Sequence, residues 1–371
     1  MLSQQLKNVL AHPLFGAQLT TVFRLAMRYG ISPQYTFRFC RVLLFCALNS
    51  PFQLYEKHRY DEPLHECDLE TDPLFIVGHW RSGTTHLHNL LIQDHQFAYL
   101  STLQALFPNE ALIKSNVHKF LLNALLPDKR PMDQMNISAT MPAEEEVALA
   151  CMGDLSIFNG MWFPSGLQDM LNEYVLFKGD PYSITRWKKA YTELVCKIST
   201  LNHNKPLVLK NPANTARIQI LLELYPNAKF IHIHRNPYEI FMSTAHLYRK
   251  LMEHRQFQKV NIEFLEQSIL DIYSKIMKQF IEQKRLLPAG QLIEIRYEDL
   301  IKTPLDVLSI IYDQLDIKGF NEVKSEFQQY IDTTRNSYRP NNFQLTKDIQ
   351  RKVEKHWSFA FSHWNYAFID T

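Results

Sequence analysis

Apolar residues in the middle of the chain change from a continuous run to helical spacing within about twenty residues. The run Leu74–Val77 is unbroken and ends at Gly78, as expected for a strand that is buried on both faces. Leu87, Leu90 and Leu91 then recur at the spacing of one helix face. Together these positions predict a strand–loop–helix unit.

Later segments of the chain repeat this change from strand to helix. They predict strands at residues 207–209, 229–234 and 291–297. Helical spacing between them predicts helices over residues 218–225, 237–254 and 262–285. Since strands that alternate with helices form parallel sheets covered on both faces, we expect an α/β fold: a P-loop-type parallel sheet flanked by helices.

The residues after the third predicted strand carry a helix-start signal. Asn236 suits an N-cap and Pro237 the first helical position, while Glu239 is placed to return a capping bond to the Asn236 amide. The helix is therefore expected to begin immediately after the strand.

Two divisions of the chain follow from these patterns. Residues 1–70 read as a helical N-terminal extension with interspersed basic residues, and a membrane-surface or partner-binding face is the alternative to simple packing on the core. Residues 71–371 read as one P-loop-type α/β domain with helical insertions such as residues 96–200.

Composition narrows the class of protein. The chain is 46% hydrophobic and 21% charged with a net charge of +2, which is typical of a soluble globular protein and gives no indication of a nucleic-acid partner. Its five cysteines include no CxxC pair, which argues against a disulfide framework or a zinc site. With no signal-peptide pattern and an early apolar stretch, Val42–Leu48, too short to span a bilayer, we expect a cytoplasmic protein.

Histidines do not form an obvious metal site. His86 and His88 lie two apart on a predicted helix and face different directions. His232 and His234 share a strand face but have no carboxylate or cysteine cluster beside them in the sequence. We therefore expect core histidines and no metal.

The loop after the first strand contains the residues that best indicate a binding site. It runs from Gly78 to Thr85 and places two of only ten glycines at P-loop spacing, G-x-x-x-x-G. Glycines there let backbone N–H groups turn toward an anion, and the start of the next helix adds its positive end. A nucleotide triphosphatase would have Lys after the second glycine, whereas this chain has Gly83-Thr84-Thr85 and an earlier arginine, Arg81.

Arg81-Ser82-Gly83-Thr84-Thr85 resembles the 5′-phosphosulfate loop of sulfotransferases that use 3′-phosphoadenosine 5′-phosphosulfate (PAPS). The match is to the bacterial branch with R-S-G-T-T, in which arginine replaces the lysine of cytosolic members. In that family an arginine followed eight residues later by a serine binds the 3′-phosphate, and Arg235 and Ser243 have this spacing. Lys210, at a strand end, and residues 296–300 are further matches.

The resemblance covers the chain from about residue 73 to the C-terminus and implies a set of roles. Arg81, Ser82, Gly83, Thr84 and Thr85 would bind the 5′-phosphate side of PAPS, with the backbone N–H groups of residues 82–85 as donors. Arg81 would also neutralise charge on the leaving oxygen, and Lys210 would approach the sulfuryl group. Arg235, Ser243 and Arg339 would bind the 3′-phosphate. Each of these three residues also has a simpler interpretation when it is taken alone. Arg235 would form a surface ion pair, and Ser243 would be an ordinary helix serine. Arg339 would belong to a solvated turn.

The general base is less clearly marked. Cytosolic members have a histidine two residues after the strand-end lysine, and this chain has Pro212 there. Glu144, in the run Glu144-Glu145-Glu146, resembles a P-x-E segment of the bacterial branch and is the first candidate; a carboxylate cluster at a helix start is the alternative. His79 is the second candidate.

The predicted function is sulfuryl transfer from PAPS, without a metal, to a hydroxyl or amine. The acceptor stays open among small molecules, glycans and lipids, and contact with a membrane surface stays open with it. A P-loop kinase or nucleotide triphosphatase and a non-catalytic nucleotide-binding protein are the competing functions.

Overall fold

The computed structural model describes residues 12–65, 69–113, 118, 120, 122, 138–335 and 343–369. The helices and strands of the first half, in chain order, are α1 (Leu19–Tyr29), α2 (Thr36–His65), β1 (Leu74–Val77), α3 (Thr84–Leu91), α4 (Thr102–Leu106), α5 (Glu145–Met152), α6 (Ile157–Trp162), α7 (Leu167–Met170) and α8 (Pro181–Leu201).

The second half carries the other three strands. Its elements are β2 (Val208–Lys210), α9 (Ile218–Leu224), β3 (Lys229–His234), α10 (Pro237–Arg255), α11 (Ile262–Gln283), β4 (Leu292–Arg296), α12 (Tyr297–Lys302), α13 (Pro304–Gln314), α14 (Phe320–Arg335) and α15 (Lys347–His363). Short 3-10 helices include Pro33–Tyr35, Pro108–Ile113 and Pro212–Ala216, and a π-helical turn spans Leu171–Val175.

The chain divides into two compact units. The helical unit is drawn from residues 1–70, 98–205 and 249–260, and the sheet unit from residues 71–97, 206–248 and 261–371. The proposed division at residue 70 into an extension and a single α/β domain stays a prediction.

The sheet unit contains four parallel strands in the order β2-β1-β3-β4. One face of the sheet is aliphatic: Ile76, Ile231 and Ile295 join the leucines of α3 and residues of α13 and α14 in one core cluster. The parallel sheet flanked by helices confirms the predicted fold class.

The other face of the sheet is aromatic and partly polar. Phe75 packs on Phe230 with ring centroids 5.2 Å apart, and His232 stacks on Phe280 of α11 at 3.9 Å. His232 and His234 are both buried on this face. The prediction that they are core histidines is therefore confirmed.

The predicted strands lie where expected, with shifts of one or two residues at their ends. β1 and β3 have the predicted bounds, and α10 begins at Pro237 with Asn236 Oδ1 accepting from the Tyr238 N–H at 3.0 Å. The predicted return bond from Glu239 is wrong. The Asn236 N–H donates instead to Glu298 Oε1 at 3.1 Å, and Glu239 pairs with Arg235 at 3.4 Å.

Candidate functional site

The order of the strands indicates where on the sheet a ligand would bind. β1 lies between β2 and β3, so the chain leaves β1 toward one neighbour and later returns to pair on its other side. Ligands in parallel α/β sheets bind at such a switch point, outside the carboxyl ends of the strands. The Gly78–Thr85 loop follows β1 at this edge, and Arg235 follows β3, whose His232 is in register with Val77.

The start of the loop is held against its neighbours by backbone contacts. Gly78 has φ +136°, and a Cβ there would lie 2.3 Å from the carbonyl oxygen of Ile233. Its N–H donates to Thr215 Oγ1 at 2.7 Å. The turn continues with the Ser82 N–H, which donates to His79 O at 3.1 Å. These contacts therefore fix the backbone at the start of the loop.

The end of the loop forms the start of α3. Gly83 has φ +106°, and a Cβ there would lie 2.3 Å from the Tyr297 ring. The first intrahelical bond joins the Leu87 N–H to Gly83 O, so the amides of residues 84–86 have no acceptor within the helix. Thr84 and Thr85 belong to the predicted anion donors of residues 82–85, whereas the Ser82 amide donates to His79 O within the loop. The role of these amides stays a prediction.

Side chains of the loop add hydroxyl groups. Ser82 is fully buried, and its Oγ has no hydrogen-bond partner. Thr84 is buried and Thr85 is half-buried. A buried hydroxyl without a partner is rare, because desolvation without a compensating bond is costly. The loop thus combines helix-start amides with an unsatisfied donor, as an anion site requires.

Arg81 adopts a backbone conformation that is unusual for a residue other than glycine. Its backbone is left-handed, with φ +72°, a conformation that costs a non-glycine residue about 1 kcal/mol or more. Its side chain is half-buried and its Nε donates to Ser243 Oγ of α10 at 2.9 Å. The two motifs that the sequence assigns to opposite ends of one nucleotide are in direct contact.

Arg235 makes the second link between these motifs. Its Nη1 donates to Arg81 O at 3.2 Å, and its guanidinium lies over the Tyr297 ring at 4.4 Å. Glu239 contacts the same guanidinium at 3.4 Å. Arg81 and Arg235 therefore form a pair of cations at the switch point, and the Ser243 hydroxyl is hydrogen-bonded to Arg81.

A polar network surrounds the backbone on both sides of Arg235 in the chain. Glu298 accepts from the Asn236 N–H and from the Tyr366 hydroxyl at 3.0 Å. The same hydroxyl lies 3.0 Å from His234 Nδ1. Burial lowers the pKa of His234 to about 3, so this ring is neutral at physiological pH. The network fixes the junction between β3 and α10.

Lys210 and His88 lie beside the loop on the β2 side. Lys210 is buried at the end of β2, in register with Ile76 of β1. Burial, together with the nearby Lys210 charge, lowers the pKa of His88 to about 3. Lys210 is thus a buried cation at the carboxyl edge of the sheet.

His79 is a buried neutral imidazole. Its Nδ1 lies 2.8 Å from Trp80 O, and its Nε2 has no hydrogen-bond partner. Burial lowers its pKa to about 4. The ring also meets Tyr273 edge-on at 4.9 Å. Burial therefore keeps this ring neutral and disfavours its protonated form, while its Nε2 is left unengaged.

Glu144 lies in the helical unit, at the N-cap position of α5. The next two carboxylates are engaged inside that unit: Glu146 Oε1 accepts from the Ile157 N–H at 3.0 Å, and Tyr191 contacts Glu145 at 3.5 Å. Glu144 is the only partly buried member of the three. Arg339, the remaining predicted ligand residue, lies outside the described residues.

Two further findings bear on the chemistry. Within the described ranges, no group of three or more His, Cys, Asp and Glu side chains is arranged to hold a metal ion. Nor does any helix in those ranges have the length and apolar character needed to cross a bilayer.

Sequence patterns missed Thr215, Tyr297 and Glu298 as supports of the loop and of Arg235. Thr215 belongs to a short 3-10 helix after β2, and no local signal connects it to Gly78. Tyr297 and Glu298 stand in the Arg-Tyr-Glu-Asp-Leu segment, which was noted as a family match without a role. Their place directly after a parallel strand is the signal that could have assigned them.

Comparisons with known proteins identify a family. The sequence model of the Sulfotransferase family matches residues 73–322. Two curated relatives are the omega-hydroxy-beta-dihydromenaquinone-9 sulfotransferases of Mycobacterium bovis and Mycobacterium tuberculosis. Each is 29% identical over 360 residues, covering 96% of this chain and 92% of the relative.

Solved structures show the same fold. A sulfotransferase of Mycobacterium tuberculosis H37Rv superimposes with a TM-score of 0.68 at 20% identity, covering 92% of this chain and 91% of that one. A sulfotransferase of Mycobacterium avium gives a TM-score of 0.67 at 15% identity, covering 95% and 98%.

Proposed function

Because the chain belongs to the sulfotransferase family, we propose that it transfers the sulfuryl group of PAPS to a hydroxyl group of an apolar acceptor. The observation that carries the proposal is the contact between the two anion motifs, in which Arg81 Nε donates to Ser243 Oγ at 2.9 Å and Arg235 donates to Arg81 O. A nucleotide with phosphate groups at both its 3′ and 5′ positions needs two cationic sites within one pocket. Arg81 and Arg235 supply them.

The 5′ side is assigned to the loop. The amides of residues 83–85 and the Ser82 hydroxyl would hold the phosphate, and the helix start favours its negative charge by about 0.3–1 kcal/mol. The Thr84 and Thr85 hydroxyls would assist. The glycine backbone suits this role because a Cβ at Gly78 or Gly83 would collide with its neighbours.

The 3′ side is assigned to Arg235 and Ser243. Arg235 is positioned by Tyr297 beneath it and by the Glu298 bond to the Asn236 amide. Arginine binds phosphate with a planar fork of donors, so fixing its plane matters more than its charge alone. Arg339 stays a prediction for the same phosphate.

In the transfer step the acceptor oxygen forms a bond to sulfur while the bond from sulfur to the bridging phosphate oxygen breaks. The electron pair of the broken bond stays on that oxygen, where Arg81 would neutralise it. Lys210 would stabilise the sulfuryl oxygens. Such preorganised charges are the main source of catalysis in group transfers of this kind.

The acceptor must also lose its proton to a base. Glu144 stays the first candidate because it matches the P-x-E segment of the bacterial branch, and His79 stays the second, with its Nε2 unengaged. A Glu144→Gln variant and a His79→Gln variant distinguish them. Loss of the acidic limb of the pH–rate profile in one variant identifies the base.

The acceptor class is suggested by the relatives. Both curated relatives are named for a hydroxylated menaquinone derivative, which is a long apolar molecule with a terminal hydroxyl. We therefore propose an acceptor with a hydroxyl on an apolar chain. An amine, a glycan or a small polar metabolite is the less supported alternative.

The test is a transfer assay with mass spectrometry. The protein is incubated with PAPS and an omega-hydroxylated prenyl quinone in detergent, and the product is examined for the mass of one added sulfuryl group. Formation of the sulfate ester without added Mg²⁺, and its loss in Arg81→Ala, supports the proposal. Binding of the nucleotide without transfer to a panel of hydroxylated acceptors would favour a non-catalytic role.

A further inference from the structure

The segment that follows α15 turns sharply at the end of that helix. α15 ends at His363, and Asn365 has a left-handed backbone with φ +53°. The Tyr366 N–H donates to Phe361 O at 3.0 Å, which is the bond by which a left-handed residue closes a helix end. Asparagine adopts this conformation more readily than most other residues do. The turn therefore determines where Tyr366 lies.

Both aromatic residues of this turn are buried and contact the sheet unit. Trp364 Nε1 donates to Glu294 Oε2 of β4 at 3.0 Å. Tyr366 is 8% exposed, and the Arg296 guanidinium lies over its ring at 4.5 Å. Arg296 at the end of β4 is in register with His234 at the end of β3. The Tyr366 ring is therefore held where two neighbouring strands end.

The hydroxyl group of Tyr366 joins His234 to Glu298. It lies 3.0 Å from His234 Nδ1 and 3.0 Å from Glu298 Oε2. Burial lowers the pKa of His234 to about 3, so its ring is neutral and carries one N–H. Burial also raises the pKa of Tyr366, so the hydroxyl keeps its proton. Because a carboxylate can only accept, the Tyr366 O–H donates to Glu298 and its oxygen accepts from the Nδ1–H of His234.

Glu298 connects Tyr366 to the residue that follows Arg235. Its Oε1 accepts from the Asn236 N–H at 3.1 Å, while its Oε2 is bonded to Tyr366. Glu298 is exposed, so without the Tyr366 bond its side chain would be free to rotate among several rotamers in solvent. The buried hydroxyl favours the rotamer that meets the Asn236 amide. The backbone that carries Arg235 therefore depends on Tyr366.

We propose that Tyr366 is a positioning residue for the 3′-phosphate side of the nucleotide pocket. It acts through Glu298 and the Asn236 amide on the orientation of Arg235. The inference rests on the proposed transfer from PAPS, in which Arg235 binds the 3′-phosphate. Loss of the Tyr366 hydroxyl should weaken the binding of nucleotides that carry a 3′-phosphate and spare those that lack one. A merely structural role would lower the stability of the fold without distinguishing between the two nucleotides.

The test is calorimetric titration of the full chain and of Tyr366→Phe with adenosine 3′,5′-bisphosphate and with adenosine 5′-monophosphate. The wild type should bind the bisphosphate at least about tenfold more tightly, as expected for a charge-assisted phosphate contact. Tyr366→Phe keeps the ring under Arg296 and should lose about 3- to 10-fold in affinity for the bisphosphate, the range for one hydrogen bond. Its affinity for the monophosphate should change by less than about twofold.

Three further variants separate positioning from stability. Tyr312→Phe removes another buried phenol that donates to a carboxylate, Asp94 at 2.6 Å, and should leave both affinities unchanged. Glu298→Ala, at an exposed position, breaks the same connection as Tyr366→Phe and should reproduce the selective loss. In an Arg235→Ala background, Tyr366→Phe should have no further effect on bisphosphate binding, because the residue that it positions has lost its side chain. Melting temperatures check that every variant is folded.

Contrary results distinguish this inference from the proposed function. If Tyr366→Phe or Glu298→Ala binds both nucleotides as the wild type does, or loses equal affinity for both, Tyr366 does not position Arg235. A further loss of bisphosphate affinity when Tyr366→Phe is added to Arg235→Ala has the same meaning. In these cases the proposed transfer from PAPS stands. A wild type that binds the monophosphate as tightly as the bisphosphate overturns the assignment of Arg235 to the 3′-phosphate, and this inference with it.

Discussion

Arg81 Nε donates a hydrogen bond to Ser243 Oγ across 2.9 Å, although the two residues are separated by 162 positions in the chain. One belongs to the loop after β1 and the other to the second turn of α10. The bond fixes the orientation of the Arg81 guanidinium. Arg235 Nη1 also donates a hydrogen bond to the Arg81 carbonyl oxygen. Arg81 is therefore held at both its side chain and its backbone before any ligand binds.

This arrangement predicts unequal effects on binding and turnover. Arg81→Ala removes the charge that would neutralise the leaving oxygen, so kcat should fall by about 10²-fold or more. Affinity for adenosine 3′,5′-bisphosphate should fall much less, because the loop amides and Arg235 remain. Steady-state kinetics and calorimetry on the same preparation provide the comparison. Equal losses in kcat and affinity would remove the catalytic role of Arg81.

Tyr297 is predicted to position Arg235. Its ring lies under the Arg235 guanidinium and against Gly83, so Tyr297→Ala should free both. We expect affinity for the bisphosphate to fall by about 3- to 30-fold, the range for a partly desolvated cation–π contact. Tyr297→Phe keeps the ring and should bind almost as the wild type does. If Tyr297→Ala and Tyr297→Phe lost similar affinity for the bisphosphate, the hydroxyl group and not the ring would be responsible.

Gly83 offers a test of loop geometry with an internal control. Gly83→Ala adds a methyl group to a residue with φ +106° and against the Tyr297 ring, whereas Gly290→Ala adds one at φ +83° with nothing within 4 Å. Backbone strain alone costs about 1–2 kcal/mol. Gly83→Ala should therefore lower the melting temperature more than Gly290→Ala does. An equal decrease would show that the Tyr297 contact does not constrain the loop.

Glu110 predicts a pH dependence of stability in the helical unit. Burial, reinforced by the nearby Glu56 carboxylate, raises the pKa of Glu110 from 4.5 to about 8. Between these values the folded state holds a proton that the unfolded state has lost, so the contribution of Glu110 to stability is complete below pH 4.5 and is lost as the pH rises toward 8. Glu110→Gln cannot ionise and should escape this loss.

The melting temperature of Glu110→Gln should therefore rise relative to the wild type as the pH is increased from 5 to 8. Glu322→Gln, which alters an exposed carboxylate, is the control and should show no such trend. A constant difference between Glu110→Gln and the wild type over this range would mean that Glu110 is already ionised in the folded protein.

The local features of the fold were predictable from the sequence. The run Leu74–Val77 is a strand with the predicted ends, because four continuous apolar residues between Pro73 and Gly78 leave little choice. The segment Lys229–His234 is also a strand with the predicted ends. Asn236 and Pro237 begin α10 as their capping chemistry requires. The parallel sheet followed from alternation of strands and helices.

Features that depend on distant contacts were not predictable. Glu239 was expected to cap the Asn236 amide. Instead, Glu298, sixty-two residues later, accepts the hydrogen bond from that amide, and Glu239 forms an ion pair with Arg235. The order β2-β1-β3 places Arg235 beside the loop, and no local pattern fixes strand order. The residues assigned to PAPS were identified through the family resemblance, and their roles stay predictions until binding is measured.

The most direct test is calorimetric titration with adenosine 3′,5′-bisphosphate, compared with ADP in the presence and absence of Mg²⁺. The paired-phosphate site predicts tight binding of the bisphosphate without metal, with Arg235→Ala weakening it by tenfold or more, as for loss of a charge-assisted phosphate contact of about 1.5–3 kcal/mol. Preference for ADP with Mg²⁺, or binding of the bisphosphate that Arg235→Ala leaves unchanged, would contradict the account and favour a kinase or nucleotide triphosphatase.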